Sequence, residues 1–271
     1  MIFPELEKLK LLVSTAAKEE LLPDFGHSEF DYKDDGSIIT PADLAMQDRL
    51  EKELQLHWPE YDIIGEEMAA HEQLAVTQES NAYWCIDPLD GTSNYAANIP
   101  FFAVSIALIV EDQQQLGLIY DPIRDEMFTA IKGQGAYLNA RPIIDSLNYV
   151  AGQFKRIENK PVVAEIDLKR LPQELAIRLV TESVFASQRN IGSSAIDWCW
   201  MAAGRFDVYL HGGQKMWDYA AGSLIFSEAG GHSISLDNEQ VFRGRLEDRS
   251  VLASKDIDLF NYWYQWMGIG K

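Results

Sequence analysis

Residues Tyr83-Trp84-Cys85-Ile86-Asp87-Pro88-Leu89-Asp90-Gly91-Thr92-Ser93-Asn94 constrain this chain more than any other stretch. The apolar run Tyr83 to Ile86 reads as the end of a buried strand. Asp87 and Asp90 follow it, on either side of Pro88. Two acids beside an apolar strand and a rigid proline need a cation or another partner, because like charges held close oppose joint ionisation. Gly91-Thr92 leads out into a turn or a helix start, where free backbone N–H groups gather. Such a stretch places hard oxygen ligands and N–H donors at one edge of a sheet.

The rest of the composition bounds the partners. The 271 residues carry 23 basic and 42 acidic side chains, a net charge of −19. A chain this acidic repels nucleic-acid backbone and anionic membrane, so neither is expected as a direct partner. Solubility is one explanation of the excess; the alternative is that some acids are gathered to bind cations, which would then reverse the local field for an anionic substrate. Cys85 and Cys199 lie among apolar residues and read as buried free thiols. The N-terminus reads as a mixed helix, and no apolar run approaches the ~18 residues of a membrane span. The expectation is a cytoplasmic protein.

Helical spacing of Leu6, Leu9, Val13 and Ala17 predicts a first helix that Pro23 ends. Polar Asp31 to Ser37 reads as a mobile surface loop. Thr40 at the N-cap and Pro41 at the first helical position open a second helix that Pro59 closes. Asp62 to Glu67 reads as a short strand running into two acids, followed by a polar stretch to Ala82. Strands are expected at Ala103–Val110, Leu116–Tyr120, Glu126–Ile131 and Ala136–Leu138, with a polar turn from Glu111 to Gln115. The second half alternates: strand Val162–Ile166, helix Gln173–Leu179, strand Ser183–Ser187. A helix from Gly192-Ser193-Ser194 to Ala203, strand Phe206–Leu210 and a helix from Trp217-Asp218 to Gly230 follow. Strands at Ser233–Leu236 and Val251–Ala253 complete the pattern. One catalytic unit over 1–271 is expected, with lobes 1–145 (helices on a mixed sheet) and 146–271 (an α/β layer), and Asp145 to Lys160 as the boundary.

Asp43, Glu66, Asp87, Asp90 and Asp218 are the acids that could carry chemistry. Taken singly, Asp43 and Asp218 can be helix caps and Glu66 a solvated turn residue. Together they suit magnesium, a hard cation that prefers oxygen donors. His27, His57, His71, His211 and His232 are too scattered for a zinc site. There is no Walker loop and no G-x-S-x-G elbow.

Three motifs resemble the inositol monophosphatase family of magnesium-dependent, lithium-sensitive phosphatases. They are Gly65-Glu66-Glu67, Trp84 to Tyr95, and Trp217-Asp218-Tyr219-Ala220-Ala221-Gly222 running on to Gly230-Gly231. Smaller matches fall at Lys33 with Asp35-Gly36-Ser37, Thr40 to Asp43, Gly133 to Asn139 and Gly192-Ser193-Ser194-Ala195. The resemblance implies an α+β or α/β fold, a layered αβαβα sandwich, and a homodimer. It implies two to three Mg2+ per site: Glu66, Asp87 and the Leu89 carbonyl at the first, Asp87, Asp90 and Asp218 at the second, and Glu66 at a weak third. It implies that Thr92 and Asp43 orient and deprotonate the attacking water, with Glu66 beside them. Gly91 and Thr92 N–H groups would bind phosphate, while Asp90, Gly192, Ser194 and Asp218 would face the alcohol. Lys33 would lie on a mobile loop over the metals. His211 stands where inositol-directed members often carry an acid, and the sequence leaves it between substrate contact and solvent.

The implied activity is hydrolysis of inositol 1-phosphate or a similar small polyol or sugar phosphate by in-line attack of a metal-activated water. Nucleotide substrates follow from a related activity, removal of the 3′-phosphate of an adenosine bisphosphate. That branch often has Lys-Glu where this chain has Ser93-Asn94. Fructose 1,6-bisphosphatase activity is a further alternative. A mainly regulatory protein-binding role is the alternative of a different class.

Overall fold

The computed structural model describes residues 3–33, 36–143, 162–182 and 184–270. The Asp145–Lys160 boundary lies outside them, as do Asp35 and Ser183.

Strand β4 (Ala82–Asp90) is buried along its whole length, and its alternation builds two cores at once. Trp84 and Ile86 point into one cluster, Tyr83 and Cys85 into another. It lies in a seven-stranded sheet between β3 (Asp62–Gly65), which runs parallel to it, and β5 (Ala103–Val110), which runs antiparallel. The sheet continues through β6 (Gln113–Asp121), β7 (Glu126–Ile131), β8 (Ala136–Leu138) and β9 (Arg141–Pro142). Helices α1 (Leu6–Glu20) and α2 (Pro41–His57) cover the Trp84 face.

A five-stranded sheet forms from the second half. Its central strands are β10 (Val163–Asp167), β12 (Val208–Gln214) and β14 (Arg249–Ser254), flanked by β11 (Ser187–Arg189) and β13 (His232–Ile234). Between the two sheets lie α6 (Ser194–Ala202) and α7 (Met216–Glu228), and residues of both sheets pack on them. Helices α5 (Gln173–Thr181) and α8 (Ile257–Met267) cover the far side. The layers read helix, sheet, helix, sheet, helix: the αβαβα sandwich.

Several boundaries differ from expectation. The β4 strand does not end at Ile86 but runs to Asp90, with its register to β5 shifting between Asp87 and Asp90. Pro88 has no N–H to give a ladder, and an irregularity is where a strand tolerates it. The Asp31–Ser37 segment is a ribbon: β1 (Asp31–Tyr32) pairs with β2 (Ile38–Ile39). The polar stretch before Ala82 contains α3 (Ala70–Glu79), whose one buried side chain, Gln73, donates to the Gly65 carbonyl at 2.7 Å. The turn after β5 shortens to Glu111-Asp112, both in the left-handed region. The Ser183–Ser187 and Phe206–Leu210 strands lie further on, as β11 and β12. The terminal helix α8 had no sequence assignment; Asp256 caps it, accepting from Asp258 and Leu259 N–H. No helix among the described residues is long and apolar enough to cross a membrane. Cys85 and Cys199 are buried free thiols.

Candidate active site

Three elements end at one point. β3 and β4 are parallel and Gly65 pairs with Ile86, so Glu66 leaves the end of β3 beside Asp87, which stays in β4 opposite Ser105 of β5. Asp90 follows at the end of β4, and α7 brings Asp218 in its first turn. Oxygens of Asp87, Asp90 and Asp218 all lie within 4.8 Å of one another. Local bonds hold each of them. Asp87 Oδ1 accepts from Leu89 N at 3.0 Å, and Asp218 Oδ2 caps α7 by accepting from Lys215 N at 2.9 Å. Asp90 Oδ2 accepts from the Ser193 hydroxyl and, at 2.9 Å, from Ala195 N.

The electrostatics are those of a cation site. Burial, then repulsion from Glu66, Asp90 and Asp218, pushes the Asp87 carboxyl well above the carboxylate range. Burial, then Asp90 and Glu66, does the same to Asp218. Burial lifts Asp90 to about 6 despite the hydrogen bonds from Ser193 and Ala195. Among the described residues no basic side chain forms an ion pair with any of the three. A divalent cation among these hard oxygens removes the conflict, so the donor set fits magnesium.

Glu66 stands apart from that cluster. Lys33 Nζ reaches its Oε1 at 2.9 Å and Glu67 Oε1 at 2.7 Å. Gln47 holds the same turn from α2, its Oε1 accepting from Glu67 N at 3.1 Å. Leu89 turns its carbonyl to the Thr92 hydroxyl at 3.0 Å.

Gly91 makes the next turn possible. It has φ +92°, and a Cβ there would sit 2.9 Å from the Phe101 carbonyl. Helix α4 (Thr92–Ala96) starts on it. The Gly91 carbonyl accepts from Asn94 N and Tyr95 N, which turns the first amides of α4 the opposite way. Thr92 Oγ1 donates to Asp43 Oδ1 at 2.8 Å. Asp43 also closes a capping box on α2, its Oδ2 accepting from Thr40 N at 2.8 Å and Thr40 Oγ1 at 2.5 Å. One carboxylate thus caps a helix and holds Thr92. Burial pushes its pKa up, against the bonds from Thr40 and Thr92.

A cavity of about 470 Å³ joins these residues to Gly192, Ser194 and His211. Gly192, with φ +80°, receives the Asn94 amide on its carbonyl at 3.3 Å, and Ser194 begins α6. His211 does not face solvent: it is buried in β12. Its Nδ1 accepts from Gly213 N at 3.1 Å, and its Nε2 faces Asp167 Oδ2 at 3.3 Å. Burial raises the Asp167 carboxyl, but His211, the Lys169 N–H and Arg170 together hold its pKa low.

The cavity also holds residues the sequence did not single out: Asp167, Lys169, Arg170 and Asp197. Only Asp197 left a trace, an acid inside the otherwise apolar run Ala195 to Ala202. Asp197 Oδ1 and Glu165 Oε2 are buried without a hydrogen-bond partner. Burial lifts Glu165 to about 7, opposed by the Ile191 N–H and Arg189 and helped by Asp167. Such a group favours folding while it stays protonated, so its contribution fades as pH rises through about 7. Glu165→Gln keeps an acceptor for Ile191 N and removes the titration. Melting curves from pH 5 to 8 are expected to fall less in this variant, by up to about 3 kcal/mol. Parallel curves for the two proteins would show that Glu165 titrates normally.

The inositol monophosphatase family model matches residues 5–265. The chain is 36% identical over 208 residues to Nus factor SuhB of Pasteurella multocida, covering 73% of this chain and 72% of that protein. It is 34% identical over 257 residues to an inositol-1-monophosphatase of Mesorhizobium japonicum, 92% of each. Among solved structures, the extragenic suppressor protein suhB of Bartonella henselae superposes with TM-score 0.78 at 28% identity, over 98% of this chain and 99% of that one. An IMPase/NADP phosphatase complexed with Mg2+ and phosphate shares the fold, with TM-score 0.77 at 20% identity over 94% of each chain. A family match across nearly the whole chain meets a buried carboxylate cluster on the same layered fold: the protein belongs to the inositol monophosphatase family of phosphatases.

Proposed function

We propose that the protein is a magnesium-dependent phosphomonoesterase for inositol 1-phosphate or a similar small polyol or sugar phosphate. The observation that carries this is the Thr92–Asp43 hydrogen bond, 2.8 Å, set beside the Asp87–Asp90–Asp218 cluster. A site built only to bind cations has no need of a hydroxyl held by a buried carboxylate.

Asp87, Asp90 and Asp218 would hold magnesium, with Glu66 and the Leu89 carbonyl completing a site for two to three ions. Magnesium, when bound, supplies positive charge to the phosphate oxygens and makes water more acidic. The chain's own groups do the rest. Thr92 Oγ1 donates to Asp43, so its lone pairs can accept a hydrogen bond from the attacking water. As water attacks phosphorus in line, its proton passes to Thr92 while Thr92 gives its own to Asp43. The raised pKa of Asp43 suits that role. N–H groups of Gly91 and Thr92 would hold the phosphate, and Gly192 and Ser194 would face the alcohol. Lys33 pairs with Glu66 Oε1, so a cation held by Glu66 would share that carboxylate with the ammonium or compete with it. A cytoplasmic homodimer is the accompanying expectation.

Phosphate release from inositol 1-phosphate, sugar phosphates and nucleotide phosphates, with magnesium and with EDTA, tests this reading. Release with magnesium, its loss in EDTA, and inhibition by millimolar lithium are expected. No release from any member of the panel overturns the enzyme reading. A second reading is favoured by the relatives called Nus factor SuhB: a regulatory role through protein contacts. Under it, Asp90→Asn would leave the cellular phenotype of the wild-type gene intact.

A further inference from the structure

Two acids outside the metal cage are buried deeply and satisfied only in part. Glu165 lies in the middle of β10 with 1% of its surface exposed, and Asp197 in the first turn of α6 with 4%. Glu165 Oε1 accepts from Ile191 N at 3.1 Å. Its Oε2 and Asp197 Oδ1 are buried with no hydrogen-bond partner, and among the described residues no other carboxylate oxygen is in that position. The groups around them are engaged elsewhere. Arg189, the cation that acts on Glu165, donates to Ser187 Oγ at 2.6 Å and to the Gln188 carbonyl at 2.9 Å. The Tyr209 hydroxyl is held by Gln214 and Ser194. Asp167 and Asp90 only add negative charge. After burial, the charge that bears most on Asp197 is that of Glu165. Glu165 titrates at about 7, with no charge on Asp197 acting against it. Asp197 is thus the acid that still holds a proton once Glu165 has lost its own.

Both acids border the segment that supports Asp90. Residues 190–193 have no regular structure of their own. Yet Ser193 Oγ and Ala195 N donate to Asp90 Oδ2, the second at 2.9 Å. The segment is tied at Ile191, whose N–H goes to Glu165 and whose carbonyl accepts from the Asn94 amide at 2.8 Å. It then enters α6, where Asp197 N donates to the Ser193 carbonyl at 2.9 Å. Glu165 therefore holds the start of the segment, and Asp197 belongs to the helical turn at its end. A bond between the two acids closes a ring around Ser193. Two buried oxygens that each lack a donor need one proton between them. A carboxylic acid facing a carboxylate supplies it, in a strong charge-assisted bond.

We propose that Glu165 and Asp197 share one proton and act as a pair of positioning residues for Asp90. Their bond fixes β10 to α6 and holds the Ile191–Ala195 segment between them. Through Ser193 and Ala195 that segment keeps the Asp90 carboxylate turned toward Asp87 and Asp218. The effect on turnover rests on the phosphatase reading above; the bond itself does not. A hydrogen bond, not a net charge, does the holding. An amide can therefore replace either carboxyl, because its NH2 supplies the donor that the proton supplies in the wild type. An apolar side chain of the same size cannot, and it strands the other acid without a partner.

The test compares Asp197→Asn with Asp197→Leu in the full chain near neutral pH. Calorimetric magnesium binding and kcat/KM for the best substrate are measured for both. Asp197→Leu is expected to weaken the magnesium midpoint about tenfold and to lower kcat/KM with it, while Asp197→Asn stays within about twofold of wild type. Adding Glu165→Gln to Asp197→Leu should recover part of the loss, because the stranded charge is gone and Ile191 N keeps an acceptor. Infrared difference spectra of the magnesium-loaded protein need neither turnover nor the leucine variant. The wild type should show the carbonyl stretch of a protonated carboxyl that Asp197→Asn lacks. A magnesium midpoint unchanged in a folded Asp197→Leu overturns the positioning role. A loss in Asp197→Asn as large as in Asp197→Leu overturns the shared proton and marks the two acids as a charge site. An infrared difference without a protonated carboxyl overturns it even if the leucine variant does not fold. If no substrate is hydrolysed, the phosphatase reading fails alone, and the magnesium midpoint and the infrared band still decide the role of the pair.

Discussion

Asp90→Asn is expected to lower kcat/KM for the best substrate by about 10³-fold or more at saturating magnesium, on the order of 4 kcal/mol of lost transition-state stabilisation. Asp90 shares its cluster with Asp87 and Asp218, all within 4.8 Å. Replacing a charged oxygen by an amide weakens the hold on a hard cation at the place where phosphate charge must be offset. The fold should survive, because the amide oxygen can still accept from Ala195 N as Asp90 does at 2.9 Å. In EDTA the order of stability should reverse. Buried like charges oppose folding, so the variant should melt above the wild type when no divalent ion is present. Adding magnesium should then raise the wild-type melting temperature by more than that of Asp90→Asn. Activity within tenfold of wild type would remove Asp90 from the metal cage. A variant that melts lower in EDTA would show that its bonds to Ser193 and Ala195 outweigh the repulsion.

Much of this cage was legible because its parts are local. Asp87, Pro88 and Asp90 share one strand end, and Thr40-Pro41 announces the helix that Asp43 caps. The layered fold followed from strand–helix alternation together with the family motifs, and those motifs also supplied the link between Thr92 and Asp43. What stayed hidden depends on register. Asp167 meets His211 because β10 and β12 are parallel and pair those two positions. Nothing in either local sequence carries that pairing. Helix α3 was missed for a similar reason: its stretch is polar, and it is anchored by the buried amide of Gln73 rather than by an apolar face. The segment Asp31–Ser37 carries only loop signals in the sequence because two-residue strands such as β1 and β2 leave no periodicity to detect. Glu165 and Asp197 show the same limit, since each becomes unusual only once burial removes its water.

Gly117→Val, away from the cage, is expected to cost about 3 kcal/mol or more of stability. Gly117 lies on β6 opposite Ala107 and Ala130, under the middle of α7. A Cβ there would stand 2.7 Å from the Ala221 carbonyl oxygen and 3.2 Å from its Cα. Both are backbone atoms of a buried helix, so no side chain can rotate away. The helix is also pinned to the same sheet by Ser105, whose hydroxyl donates to the Trp217 carbonyl at 3.0 Å, and by Gln114, which donates to the Ala220 carbonyl. Relief requires lifting α7 as a unit. That helix carries Asp218 one turn before the contact, whereas Asp87 and Asp90 stay on β4. The same push that loosens the core therefore widens the carboxylate cluster. Urea unfolding should show the stability loss, with Gly117→Ala intermediate between wild type and valine. Magnesium titration of the folded protein should show a weaker midpoint in the same order. Two outcomes would sink the argument: a valine variant as stable as wild type, or one destabilised with its magnesium midpoint unchanged. The second would mean that the sheet and the Asp218 end of α7 move independently.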